Sequence, residues 1–146
     1  MKDGIILLVE DNPNDEELTI LALEENHITN PVVVVHDGAA ALDYLFGAGE
    51  YSGRDPRETP TVILLDLKLP KVDGLEVLHR VRADERTKLI PVVILTSSKE
   101  EQDRLRGYTL GANSYIRKPV DYSQFTEAIR QLGMYWLILN EPPPNV

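Results

Sequence analysis

Cysteine is absent from this 146-residue chain, which excludes disulfide staples, thiolate metal sites and cysteine nucleophiles and leaves the redox compartment open. No apolar run approaches the ~20 residues that span a bilayer. Met1-Lys2-Asp3-Gly4 leads straight into an apolar run, without the pattern of a signal peptide. Positive charge is also scarce. With 15 Lys and Arg against 24 Asp and Glu, the formal net charge is −9, which disfavours close association with a nucleic-acid backbone. The basic residues Arg80, Arg82, Arg86 and Lys88 are interleaved with Asp84 and Glu85 and read as a solvated helix end. What is left is a cytoplasmic single domain, 42% hydrophobic and 27% charged, long enough to bury one core.

Short β-rich apolar runs alternate with longer amphipathic stretches, the pattern of a parallel sheet built from βα units. The runs are Ile5 to Val9, Val32 to Val35, Val62 to Leu65, Val92 to Leu95, and a weaker one at Ser114 to Ile116. Five strands with intervening helices make a doubly wound α/β domain. Asn12 before Pro13 predicts an N-cap with proline in the first helical position, where its missing N–H costs nothing. Asp73-Gly74-Leu75-Glu76, Ser98-Lys99-Glu100-Glu101 and Asp121-Tyr122-Ser123-Gln124 each have capping-box spacing. Gly74, Val77, Leu78 and Val81, like Phe125, Ala128, Ile129 and Leu132, recur at helix period and are expected in the core. Gly47 to Pro60 has no periodicity and reads as a long surface loop. The domain is expected over 1–140, followed by a proline-rich tail over 141–146 that cannot continue a helix.

The chemistry lies at the ends of the apolar runs. Glu10-Asp11 closes the first and Asp66 the third, so adjacent parallel strands would bring three carboxylates to the crevice where open α/β sheets bind ligands. Three carboxylates repel one another unless a cation sits among them, which points to a hard divalent ion, Mg²⁺. An Asp at a strand end is by itself a common turn former. Here Thr96-Ser97-Ser98 closes the fourth run and Lys118-Pro119 the fifth, adding hydroxyls and an ammonium to the same edge. Carboxylate nucleophile, metal, hydroxyl and lysine together suit phosphoryl transfer to an aspartate. His27, His36 and His79 lie away from this cluster and have no metal-ligand spacing.

Four motifs occur in order: Val9-Glu10-Asp11-Asn12-Pro13, Leu65-Asp66-Leu67-Lys68-Leu69-Pro70 through Asp73-Gly74, Leu95-Thr96-Ser97, and Lys118-Pro119. On these residues the chain resembles the response-regulator receiver domains of two-component signalling over nearly its whole length. The resemblance implies a flavodoxin-like (βα)5 sandwich with sheet order 2-1-3-4-5. It makes Asp66 the phosphoacceptor and Asp11 a direct Mg²⁺ ligand, with Glu10 acting largely through water and the Lys68 backbone carbonyl adding an oxygen. Lys118 would pair with the phosphoryl group, and its bond to Pro119 would be cis. Thr96 would be the switch hydroxyl and Tyr115 the aromatic that turns inward after it. Ser97 is a weaker phosphate contact, explained almost as well by helix capping. The phosphodonor histidine is expected on a partner kinase, so the chain is read as a phosphoacceptor signalling protein and not an enzyme.

With no effector domain after the receiver motifs, the expected output is protein-protein contact or relay of the phosphate. The 47–60 insertion and the Leu132 to Leu139 segment resemble the small, stand-alone regulators partnered with phytochrome kinases. Two other classes fit less well. A haloacid-dehalogenase-type hydrolase needs an acid two positions after the nucleophile, where Lys68 stands. Flavin or nucleotide binding needs a phosphate loop after the first strand, where Glu10 and Asp11 would repel phosphate. Leu132, Tyr135, Trp136 and Leu139 extend an apolar stripe along the final helix past Gly133. They are expected to form a homodimer with the fifth-strand face that carries Tyr115.

Overall fold

The computed structural model describes residues 4–118 and 121–144. The Lys118–Pro119 bond, expected to be cis, lies outside the described residues. The strands are β1 (Ile6–Val9), β2 (Val32–Val35), β3 (Val62–Leu65), β4 (Val92–Thr96) and β5 (Ser114–Arg117). They form one parallel sheet in the order β2-β1-β3-β4-β5. Among the described residues the α-helices are α1 (Pro13–Glu25), α2 (Gly38–Phe46), α3 (Gly74–Ala83), α4 (Glu101–Thr109) and α5 (Tyr122–Gly133), the last running into a π-helical turn at Met134–Leu139. Among the described residues, no helix is long and apolar enough to cross a membrane.

Central strands read as unbroken apolar runs because both sheet faces are covered. Leu7, Val9, Ile63, Leu65 and Ile94 pack on one face with Leu75, Val77 and Leu78 of α3 and Leu45 of α2. Ile6, Leu8, Leu64, Val93 and Leu95 pack on the other with Ala22 and Leu23 of α1 and Phe125, Ile129 and Leu132 of α5. Each fully buried aliphatic side chain contributes about 2 kcal/mol by removing its surface from water. A break in one β-run would therefore disturb two layers together.

Caps set where the helices begin. The Asn12 side chain accepts from the N–H groups of Asn14 and Asp15, with Pro13 opening α1, and Asp73 accepts from Glu76 N. Asp37, not anticipated as a cap, accepts from Ala40 N at the start of α2. Ser98 departs from expectation: α4 begins at Glu101 without a side-chain cap bond, and the Ser98 hydroxyl instead donates to Asp103 at 2.7 Å. The 47–60 segment includes a 3₁₀ turn at Gly49–Tyr51, and the Arg54 guanidinium stacks 4.0 Å from the Tyr44 ring centroid.

Arg82 corrects the reading of a solvated basic helix end. It is half-buried and donates to the carbonyls of Gly111, Lys88 and Ile90 and to Asn113 Oδ1, joining α3 to the segments before β4 and β5. Arg80, Arg86 and Lys88 pair at the surface with Glu76, Asp84 and Glu85.

The apolar stripe on the final helix also divides. Leu132 is buried, and Trp136 is partly buried against the α1/α5 core, while Tyr135 and Leu139 are exposed. A π-helical turn advances more than 3.6 residues per turn, so the i, i+3, i+4, i+7 positions no longer share a face. Leu137 turns inward instead, and Met134, Tyr135, Ile138 and Leu139 form the exposed apolar set.

A carboxylate and lysine site at the carboxyl edge of the sheet

Register builds the site. Val9 and Leu65 are paired across β1 and β3, so the next residues, Glu10 and Asp66, emerge side by side. Glu10 N donates to Val35 O and Asp66 N to Val9 O, fixing both backbones as the strands end. From β5, Lys118 N donates to Thr96 O at 2.7 Å. The lysine stem then crosses the edge beneath solvent, with its side chain 9% exposed.

The ammonium has three donors and three carboxylate partners. Lys118 Nζ lies 2.6 Å from Glu10 Oε1, 2.9 Å from Asp15 Oδ2 and 3.3 Å from Asp66 Oδ2. The other Asp66 oxygen accepts from Leu67 N at 2.7 Å and Lys68 N at 3.4 Å. Gly74 is required beside this turn, since a Cβ there would lie 2.2 Å from the Asp66 carbonyl oxygen. The Asp66 carboxylate is thus fixed at one oxygen by backbone amides and faces an ammonium with the other.

Burial raises the Glu10 carboxyl to about 7, with the Asp66 carboxylate adding to the rise and Lys118 opposing it. Burial alone would lower Lys118, but Glu10, Asp15 and Asp66 outweigh it and keep the ammonium charged above its usual range. Carboxylate oxygens of Glu10, Asp11 and Asp66 lie within 4.8 Å of one another, with Asp11 open to solvent. Hard oxygen donors with an exposed member fit a divalent ion that keeps part of its water shell, as Mg²⁺ does. A proton on Glu10 and a cation in the cluster would relieve the same repulsion.

Thr96 ends β4 fully buried, and its hydroxyl accepts from Ser98 N at 3.3 Å. Tyr115 sits half-buried on β5 beside α4, and burial raises its phenol. Gly107 lets the helix approach: a Cβ there would lie 2.7 Å from Ile94 Cδ1 and 3.5 Å from the Tyr115 ring. The Lys68 ammonium pairs with Asp103 at 3.4 Å. Asp103 is held below the usual carboxylate range, first by the Ser98 hydroxyl.

The structure therefore brings together Glu10, Asp11, Asp66 and Lys118 as read from the sequence, and places Thr96 on the next strand. Sequence reading missed Asp15 and the Ser98–Asp103–Lys68 link. Asp15 was open to inference, since it lies in the first turn of a capped helix, four residues after Asp11. No spacing signal marks Asp103.

Residues 6–130 match the family model described as "Response regulator receiver domain". The curated protein "Probable methanogenesis regulatory protein FilR2" of Methanothrix harundinacea is 42% identical over 139 residues, covering 95% of this chain and 87% of that protein. Among solved structures, the phosphorylated cyanobacterial phytochrome response regulator RcpA is 39% identical with TM-score 0.90, covering 98% of this chain and all of that one. The bacteriophytochrome response regulator RtBRR is 55% identical with TM-score 0.79, covering 98% and 86% respectively. Response regulator Rcp1 has been solved in an Mn²⁺-bound form, 35% identical to this chain with TM-score 0.87 over 97% of it and 99% of that chain.

Proposed function

The chain belongs to the response-regulator receiver family, and from that premise we propose that Asp66 is its phosphoacceptor. The observation that carries this is the held carboxylate, with one Asp66 oxygen fixed by the Leu67 amide and the other turned to Lys118. A carboxylate oxygen forms the O–P bond as the N–P bond of a kinase phosphohistidine breaks, and the imidazole departs. Lys118 supplies an N–H and positive charge to the phosphoryl oxygens. Glu10, Asp11, Asp66 and the Lys68 backbone carbonyl would hold Mg²⁺, which when bound neutralises charge on the transferring group. Thr96 is the switch hydroxyl. Turning it to the phosphoryl group releases its bond from Ser98 N and opens space toward which Tyr115 can rotate.

The protein signals from the cytoplasm by phosphorylation-dependent contact with other proteins, and the donor is a sensor histidine kinase. RcpA and RtBRR, matched over nearly all of this chain, support a phytochrome-type kinase. FilR2 keeps a second reading in view, a kinase with another input. Phosphotransfer profiling against the histidine kinases of the source genome separates them. Preferential rapid transfer from a photosensory kinase is the expected result.

The primary test is Asp66→Asn. Label from acetyl phosphate should appear on the wild type, be released by hydroxylamine as expected for an acyl phosphate, and be absent from the variant. Undiminished labelling of the variant would overturn the assignment.

The exposed apolar set on the π-helical turn supports a homodimer through the final helix and the β5 face, since contiguous apolar surface marks contacts. Ile138 is 71% exposed, so Ile138→Glu should leave the fold intact and dissociate the dimer. Sedimentation equilibrium on the unmodified and beryllofluoride-treated proteins reads this. A wild-type monomer in both forms would remove the dimer.

A further inference from the structure

We infer that Asp15 is a positioning residue for Lys118, fixing where the ammonium directs its third N–H. This rests on the phosphoacceptor reading above and adds a residue to it.

Asn12 caps α1 and accepts from Asp15 N at 3.1 Å, while Thr19 Oγ donates back to Asp15 O at 2.8 Å. These bonds fix the Asp15 backbone within the first turn. Its carboxylate then receives Lys118 Nζ at 2.9 Å, closer than the 3.3 Å to Asp66. An ammonium has three N–H donors in a tetrahedral arrangement. With Glu10 and Asp15 taking two, the third is directed at Asp66, where a phosphoryl group would be.

Asp15 is the partner best suited to that task. Glu10 belongs to the cation cluster and Asp66 is the nucleophile, so both change their surroundings during the reaction. Asp15 is outside the cluster formed by Glu10, Asp11 and Asp66. It can keep its bond to Lys118 before and after transfer. Without it the flexible lysine would retain one anchor and lose a defined direction. A misplaced group of this kind lowers the rate without touching the reacting atoms.

The test uses the full chain and two readouts. In metal-free protein, ¹⁵N-labelled lysine NMR should show a slowly exchanging Lys118 ammonium signal in the wild type. Asp15→Ala should lose that signal, and Asp15→Asn, which keeps an oxygen acceptor, should retain it. With saturating Mg²⁺, the rate of labelling by acetyl phosphate should fall about tenfold in Asp15→Ala and stay within about threefold of wild type in Asp15→Asn. In a Lys118→Ala background, Asp15→Ala should cause no further loss, because coupled residues are non-additive. Asp15→Leu repeats the test if the alanine variant does not fold. An unchanged ammonium signal in Asp15→Ala, or an equal fractional loss of rate with and without Lys118, would overturn the inference. Asp66→Asn distinguishes the two levels: if it still labels, the site reading fails, whereas its silence beside an unaffected Asp15→Ala removes only the role of Asp15.

Discussion

Arg82 and Lys118 both carry positive charge into this domain, and they are compensated in opposite ways. Arg82, at the end of α3, meets three backbone carbonyls and one amide oxygen, all neutral. Lys118, at the end of β5, meets three carboxylates. Neutral acceptors with fixed positions make Arg82 a staple between a helix end and a loop, and its charge balance has no role for an ion or a phosphoryl group. Around Lys118 the balance depends on the Glu10 proton and on a cation among Glu10, Asp11 and Asp66, and in the proposed reaction on the covalent state of Asp66. A buried cation serves as structure where its partners cannot change, and as part of a switch where they can.

Removing each cation should separate the two sites most strongly. Lys118→Ala leaves buried carboxylates facing one another and should cost about 3 kcal/mol in metal-free protein at pH 8. Adding Mg²⁺ should restore more stability to this variant than it adds to the wild type, because the ion replaces the missing charge. Arg82→Ala should cost about 2 kcal/mol through its unpaired carbonyls, with no recovery from Mg²⁺. Urea unfolding with and without Mg²⁺ measures both variants. Equal Mg²⁺ effects on the two would show that the partners of the two cations do not differ in this way.

A smaller effect sharpens the same contrast through pH. Folding raises Glu10 from 4.5 to about 7, so over that interval the folded state binds the extra proton. The resulting stability is fully present below pH 4.5 and is lost as pH rises through about 7. Metal-free wild type should therefore lose on the order of 3 kcal/mol across this window relative to Glu10→Gln, which does not titrate. Arg82→Ala should keep the wild-type slope. Parallel curves for wild type and Glu10→Gln would remove Glu10 as the source.

Much of the fold was legible locally. Val32–Val35 and Val62–Leu65 occur where the apolar runs stand, because strands covered on both faces must be apolar at every position. Asn12-Pro13 and Asp73 signalled their helix starts, since a cap is a contact between neighbours in sequence. Ser98 has the same local pattern but is drawn to Asp103 on α4, a competition that spacing cannot reveal.

Sequence alone determined the donor set, because apolar runs ending in Glu10-Asp11, Asp66, Thr96 and Lys118 must deliver those groups to one edge of a parallel sheet. How the charges are distributed there follows from the way the chain folds. Register placed Glu10 beside Asp66, and the crossing from β5 brought Lys118 to Asp15, 103 positions away in the chain. The π-helical turn likewise decided that Trp136 faces the core and Ile138 the solvent. Residue type fixes what chemistry a group can perform, but burial and long-range pairing fix its charge and direction, and both depend on the whole fold.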